Sequence, residues 1–367
     1  MKILVGMPAE DSWGGPAASE PPFVGALRKS GAQVREETYV YGDKEKPTPI
    51  FERIRRVVKT AWRFRQILRR EHFDVIHLNT AVDLKTLLRD AVSLRLMKTR
   101  RAKVFLKIHG SEAKFLESKN PLIAALRNDL RKLADGFGVH TREEKTNFVS
   151  ANFDENKIFF VKNAVTISEN LPEIFARVQK EKDEVFRLLF VSRFIPAKGL
   201  TETIRACARL KNKNYKFVLS AVGDGETRAE AESETEKLNL SENVKFTGYI
   251  SEQEVTNYFL NSDIFIFPTR HAEGFPNVLF KAAAAGLPIV TTRVRAANDY
   301  LREPENCLFS TQSPENIAEK IIELIENKNL RQAMSENNFK LGRTLLPENI
   351  AREFLDIYKK ILDNPKS

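Results

Sequence analysis

The chain has 367 residues, 42% of them apolar and 29% charged, with a formal charge of +10 at neutral pH. That length can hold two domains with a core each, and the composition excludes a disordered chain. No run approaches the roughly 20 apolar residues that a membrane-crossing helix needs, and Cys207 and Cys307 offer neither a disulfide framework nor metal-ligand spacing.

The start, MKILVGMPAE, reads as a first strand over Lys2 to Gly6. A signal peptide has a longer apolar core and a small-residue cleavage site, so a reducing cytoplasm is the expected compartment. Trp13-Gly14-Gly15-Pro16 follows the strand. Adjacent glycines such as Gly14 and Gly15 expose backbone N–H groups to a phosphate or an acceptor, or simply turn the chain. A helix is expected from Pro22 to Ser30 and a strand from Val34 to Tyr41. Phe51 to Glu71 is the clearest helix. Ile54, Val57, Val58, Ala61, Trp62, Phe64, Ile67 and Leu68 recur at helical spacing among Arg53, Arg55, Arg56, Lys59, Arg63, Arg65, Arg69 and Arg70. A second basic cluster runs through Arg95, Lys98, Arg100, Arg101 and Lys103. A basic amphipathic helix reads as a surface for anionic lipid, each cation near it contributing about 1 kcal/mol. The alternative is a solvated face whose apolar stripe packs on the N-terminal sheet. Nucleic acid is not an expected partner, because no binding module and no stacking loop aromatics accompany the charge.

Val75 to Leu78, Val104 to Ile108 and Gly136 to His140 read as further strands. His109 follows the second of them, ahead of Gly110-Ser111-Glu112, while His77 and His140 read as structural or supporting histidines. In the second half the strands are Phe186 to Val191, Lys216 to Val222, Val244 to Thr247, Ile264 to Phe267, Ile289 to Thr292 and Leu308 to Ser310. Strands alternating with helices predict parallel sheets with right-handed crossovers. The fold class is α/β, with two Rossmann-like domains facing each other across a cleft. The boundary falls in the charged stretch from Asn163 to Asp183, giving domains over 1–165 and 184–346. A last helix from Pro347 to Leu362 carries Ile350, Phe354, Tyr358 and Ile361 on one stripe.

The chemistry concentrates in the second half. Arg193 and Lys198 lie in the loop between a strand and a helix. Two cations there suit a diphosphate, whose departure develops negative charge that fixed positive partners stabilise. Gly223-Asp224-Gly225 follows the next strand as a tight turn, or lets the backbone approach a ligand. Pro268 to Thr292 reads as a loop with Glu273 and Gly274, a helix from Asn277 to Ala285, Gly286 and a buried strand. Ligands of open α/β sheets bind at the carboxyl ends of strands, and helix N-termini attract phosphate there, so a nucleotide site is expected. The alternative is that Glu273 only caps the helix. No G-x-G-x-x-G is present, which argues against an NAD dehydrogenase.

The run from Glu273 through Gly274-Phe275-Pro276-Asn277 to Lys281 resembles the signature of the retaining GT-B glycosyltransferases of family 4. In that family a Glu, seven residues and a second Glu line the sugar-nucleotide site. The likeness runs nearly end to end and is strongest between residues 186 and 320. It implies that Arg193 and Lys198 bind the donor's diphosphate in place of a metal. By the same likeness, the Gly223 loop lies beside the nucleotide, and Gly274, Phe275, Pro276 and Asn277 line the site. Glu273 positions the sugar, and His109 contacts it. Asn163-Ala164-Val165 stands where the family has Asn-Gly-Val at its hinge, and the helix over 347–367 is expected to pack back on the N-terminal acceptor domain. One position departs: Lys281 stands in place of the second Glu. A carboxylate there would accept two hydrogen bonds from ribose hydroxyls, and an ammonium accepts none. Three outcomes are open: the ribose is held otherwise, the nucleotide offers Lys281 something negative, or donor binding is impaired.

The resemblance thus implies a retaining glycosyltransferase, and the basic helix places it at the inner face of the membrane. It would move a hexose-type sugar from a nucleoside diphosphate to a saccharide or lipid-linked saccharide in cell-surface polysaccharide or glycolipid synthesis, with no cofactor and no metal. A sugar-nucleotide epimerase of the same fold and a catalytically weakened paralogue serving as a membrane or assembly partner are the alternatives.

Overall fold

The structure is a computed structural model and describes residues 1–9, 15–39, 49–97, 101–111, 113–167 and 179–363. It divides into two compact units, Met1–Ala164 with Pro347–Ser367, and Val165–Leu346.

In the first unit the chain runs β1 (Lys2–Met7), α1 (Gly15–Lys29), β2 (Gln33–Thr38), α2 (Ile50–Arg70), β3 (Val75–Val82), α3 (Leu84–Met97) and β4 (Lys103–Ser111). It continues with α4 (Ala113–Leu116), α5 (Pro121–Leu133), β5 (Gly136–Val139), α6 (Arg142–Ser150) and β6 (Ile158–Phe160). The six strands pair in parallel in the order β2-β1-β3-β4-β5-β6. β3 and β4 are buried almost throughout, as strands covered on both faces by helices must be.

The second unit holds β7 (Phe186–Val191), α7 (Leu200–Asn212), β8 (Phe217–Val222), α8 (Arg228–Lys237), β9 (Val244–Gly248), α9 (Glu252–Leu260) and β10 (Ile264–Phe267). After these come α10 (Asn277–Ala284), β11 (Ile289–Thr291), α11 (Arg295–Tyr300), β12 (Leu308–Phe309), α12 (Pro314–Glu326) and α13 (Lys328–Thr344). Its sheet, parallel again, has the order β12-β11-β10-β7-β8-β9. The chain is therefore α/β with two doubly wound, Rossmann-like domains.

The last helix, α14 (Pro347–Asp363), belongs to the first unit. Phe354 packs on Phe23 of α1 with ring centroids 4.7 Å apart, and the Tyr358 hydroxyl meets Nδ1 of His77 at 2.5 Å. Gly136 gives Ile361 its room, since a Cβ there would lie 2.6 Å from the Ile361 side chain.

Three elements differ from their sequence-based expectation. α1 begins at Gly15 rather than at Pro22, running through Pro21 and Pro22. Glu20 fixes the turn ahead of those prolines by an ion pair to Lys107 of β4 at 2.6 Å. β6, Ile-Phe-Phe, is a strand that was not expected from the sequence, and it pairs in parallel with β5. In α2 the apolar residues form two stripes instead of one. Ala61, Phe64 and Ile67 are buried, whereas Phe51, Ile54, Val58 and Trp62 point outward with exposures of 76, 57, 44 and 58%. Their three- and four-residue spacing makes one continuous exposed face. Among the described residues, no helix is long and apolar enough to cross a membrane.

Candidate functional site

In the second sheet the chain leaves β7 toward β8 and β9 on one side, while β10, β11 and β12 build the other. The order reverses between β7 and β10, and the crevice at the carboxyl ends of two such strands is where open α/β sheets bind ligands. The loop after β7 carries Arg193 and Lys198; the loop after β10 carries His271 and Glu273.

Those two loops are tied together. The Arg270 N–H donates to the Ala197 carbonyl at 2.7 Å, and the Gln312 amide, from beyond β12, bridges them by donating to the Pro268 carbonyl at 2.6 Å and the Ala197 carbonyl at 3.5 Å. Gly199 ends the Lys198 turn at φ 81°, and a Cβ there would lie 2.7 Å from the Pro268 carbonyl oxygen. A glycine is what allows the loops to close up.

Lys198 is buried, lies 5.3 Å from the centre of the Phe267 ring, and meets the Glu273 carboxylate with its ammonium. His271 Nδ1 stands 3.6 Å from the same carboxylate oxygen. Burial, with the charge of Arg193 adding to it, pushes the Lys198 ammonium down to about 8. The Glu273 contact works the other way and keeps it charged at neutral pH. His271 is held below the usual histidine range by burial and by Lys198, Arg193 and Arg295. Three cations thus act on one imidazole, and an anion entering between them replaces repulsion by attraction. Arg295, the first residue of α11, is the member that sequence reasoning missed. Nothing local marks it, because its place depends on β11 lying beside β10.

Glu273 does not cap α10. The cap position is Pro276, which provides no side-chain hydrogen bond, and Glu273 turns instead to Lys198 and His271. Gly274 and Pro276 are buried beside it, and Asn277 opens the helix. The Phe275 ring is stacked on Phe280 at 3.9 Å between centroids with Tyr300 edge-on, so its side chain packs the loop.

Gly223 and Lys281 each make contacts within the protein. The Gly223 N–H donates to the Gly248 carbonyl at 3.1 Å, and a Cβ on Gly223 would lie 1.9 Å from the Ser192 carbonyl oxygen. Gly223 lets the loop after β8 lie on the loop after β7. Lys281 is buried on α10 and ion-paired with Glu252 of α9; burial pushes its ammonium down to about 8.

In the first unit the strand order reverses between β1 and β3. Gly14 lies outside the described residues, and Gly15 begins α1. His109 lies within β4 rather than beyond it, and its side chain is only 4% exposed, which corrects the expectation of a ring standing open at the strand end. Its Nε2 meets the Asn79 side-chain oxygen at 2.6 Å, while the Asn79 amide donates to the Gly6 carbonyl at 3.1 Å. That second bond fixes the amide orientation, so Nε2 of His109 carries the proton. Beneath it lies the fully buried Lys107–Glu20 pair at 2.6 Å. Burial raises the Glu20 carboxyl, but the charge and hydrogen bond of Lys107, with His77 and the Asn79 hydrogen bond, together outweigh this and hold it below its ordinary value. Burial, with the Lys107 charge among its neighbours, keeps His109 well below the usual range and lowers His77 to about 4 and His140 to about 3, all neutral. Among the described residues no three His, Cys, Asp or Glu side chains are grouped to hold a metal ion.

Residues 172–341 match the family model of the glycosyl transferases group 1, and residues 22–169 match that of Glycosyltransferase Family 4. The capsular polysaccharide biosynthesis glycosyltransferase CapM of Staphylococcus aureus is 30% identical over 181 residues, 49% of this chain and 47% of that protein. The N,N'-diacetylbacillosaminyl-diphospho-undecaprenol alpha-1,3-N-acetylgalactosaminyltransferase of Campylobacter jejuni is 27% identical over 262 residues, 67% of each chain. The chain spans about half the length of several of the curated relatives it matches, CapM among them. Of solved structures, Anabaena HepE in complex with UDP and glucose is 17% identical with a TM-score of 0.72, covering 97% of this chain and 98% of that one. The lipopolysaccharide outer core galactosyltransferase WaaB is 17% identical with a TM-score of 0.68, covering 97% and 99%. These two similarities show a shared fold.

Proposed function

The chain belongs to the glycosyl transferases group 1 and has the two Rossmann-like domains of the GT-B class, and on that premise we propose that it is a retaining transferase using a nucleoside-diphosphate sugar. The observation that carries this reading is the convergence of Lys198, Glu273, His271 and the cation Arg193 where the second sheet reverses its order. The Lys198 ammonium and the Arg193 guanidinium stabilise the charge that the diphosphate gains as its bond to the anomeric carbon breaks. The acceptor hydroxyl forms its bond to that carbon from the face the diphosphate leaves, and its proton passes to a phosphate oxygen. No protein nucleophile is required. Arrival of the diphosphate at Lys198 frees Glu273 to hold the sugar.

The acceptor is a saccharide or lipid-linked saccharide of cell-surface polysaccharide or glycolipid synthesis. The similarity to CapM, of capsular polysaccharide biosynthesis, and to the Campylobacter diphospho-undecaprenol N-acetylgalactosaminyltransferase supports this. Incubation with radiolabelled UDP-, GDP- and ADP-sugars tests the reaction class. Slow donor hydrolysis, accelerated by acceptor, is the expected result; interconversion of sugars would indicate an epimerase, and silence a catalytically weakened paralogue.

The enzyme works in the cytoplasm at the inner face of an anionic membrane. Support comes from the outward stripe of α2, where Phe51, Ile54, Val58 and Trp62 run beside Arg55, Lys59, Arg69 and Arg70. An apolar face flanked by cations lies in the interface of an anionic bilayer. The chain should sediment with vesicles containing anionic lipid and release as salt rises, because exposed charges are screened over about 8 Å at physiological ionic strength. Replacing Arg55, Lys59 and Arg69 by Gln should abolish sedimentation while sparing turnover on a soluble acceptor. Equal sedimentation with neutral and anionic vesicles would contradict it.

A further inference from the structure

Around Lys281, helix α10 buries Leu279, Phe280, Ala282, Ala283 and Ala284, and only 8% of the Lys281 side chain is exposed. An apolar residue would pack such a place at lower cost, since a buried ammonium is tolerated only when paired. The partner comes from another helix. Glu252, the first residue of α9, meets the ammonium with Oε1 as an ion pair rather than as an aligned hydrogen bond. The two ends of this pair are unlike. The lysine is sealed in, while the Glu252 side chain is 58% exposed. One oxygen is anchored and the group remains open to solvent. Most surface glutamates spread over many rotamers, and a carboxylate held in one place accepts a ligand's hydrogen bonds without that ordering cost.

Its place in the sheet says which ligand group it meets. Glu252 follows the loop after β9, at the same carboxyl edge as Lys198 and Glu273, and β9 lies two strands from β7 on the side away from β10. Two strand spacings are about 10 Å. A nucleoside attached to a diphosphate at Lys198 extends over such a distance. If the donor is a nucleoside diphosphate sugar, as proposed above, the moiety next to its diphosphate is a ribose with two neighbouring hydroxyls.

We propose that Glu252, anchored by Lys281, is the acceptor for the vicinal hydroxyls of the donor's ribose. One carboxylate takes two O–H donors, which an ammonium at 281 cannot do. Lys281 is then a positioning residue, and the acceptor that the helix α10 position lacks is supplied from α9.

Calorimetry with UDP, GDP and ADP, each beside its 2'-deoxy counterpart, tests this. The wild-type protein should bind the preferred ribonucleotide roughly tenfold or more tightly than its deoxy form. In Glu252→Gln that ratio should fall toward one while the protein still melts cooperatively, and Lys281→Met should lower it part of the way. The double variant Lys281→Glu with Glu252→Lys, which keeps one carboxylate at the same pair, should restore much of it. A Glu252→Gln variant that keeps the wild-type ratio, or a wild-type protein that binds both forms equally, overturns the proposal and leaves the pair a support for α10. Failure of the wild-type protein to bind any of the nucleotides is a different result: it removes the donor reading itself, and this assignment with it.

Discussion

Lys198→Ala lowers donor turnover by at least about a hundredfold, the scale observed when one preorganised partner of developing charge is removed. The ammonium is buried between Phe267 and Glu273, so water cannot replace it cheaply. Arg193→Ala has an effect of the same order, because its guanidinium belongs to the same loop and acts on the same ammonium. Near-wild-type turnover in both variants would remove the diphosphate from this crevice. A pH series reads the same group independently. Lys198 titrates at about 8 in the folded protein against an ordinary 10.5, so the unfolded chain binds more protons between those values. The penalty of burying the charge therefore applies in full below about 8 and is relieved as pH climbs from 8 toward 10.5. A bound diphosphate favours the ammonium, so nucleotide affinity should fall as pH rises through about 8. Affinity that is flat from pH 7 to 10 would place the phosphates elsewhere.

Glu273→Ala should lose most activity, again on the hundredfold scale, while the protein still unfolds in one cooperative transition. The carboxylate contacts Lys198 and stands 3.6 Å from His271, and it makes no cap for α10, so its removal leaves the helix intact. Glu273→Gln retains the shape without the charge and separates positioning from electrostatics. If it matches Ala in turnover and wild type in stability, the negative charge is what the reaction uses. A collapsed fold in either variant would make Glu273 a structural residue instead.

Most strands of the two sheets were legible because buried parallel strands are nearly unbroken apolar runs, as in Ile264–Phe267. Arg193, Lys198 and Glu273 were legible for a related reason: each follows such a run closely, and strand ends are where an open sheet places its ligand. What stayed hidden depends on contacts between distant segments. The start of α1 was misplaced because two prolines look like a helix beginning, and the Glu20–Lys107 pair that carries the helix past them joins residues far apart in sequence. In α2, eight apolar positions read as one stripe, and only packing divides them into a buried face and an exposed one. Lys281 looked like a lone cation at a carboxylate's place; its partner Glu252 lies on another helix and carries no local mark. Why residue 223 must be glycine was hidden too, because the Ser192 carbonyl that excludes a Cβ there belongs to another loop.

On the reading proposed above, a nucleoside diphosphate binds where β7 and β10 part. A crystal structure of the protein with UDP, or with whichever diphosphate calorimetry selects, tests it most directly. Diphosphate oxygens should lie within about 3.2 Å of the Lys198 ammonium and the Arg193 guanidinium, with the Lys198–Glu273 contact broken. A nucleotide bound away from these two loops, with Lys198 still paired to Glu273, would contradict it.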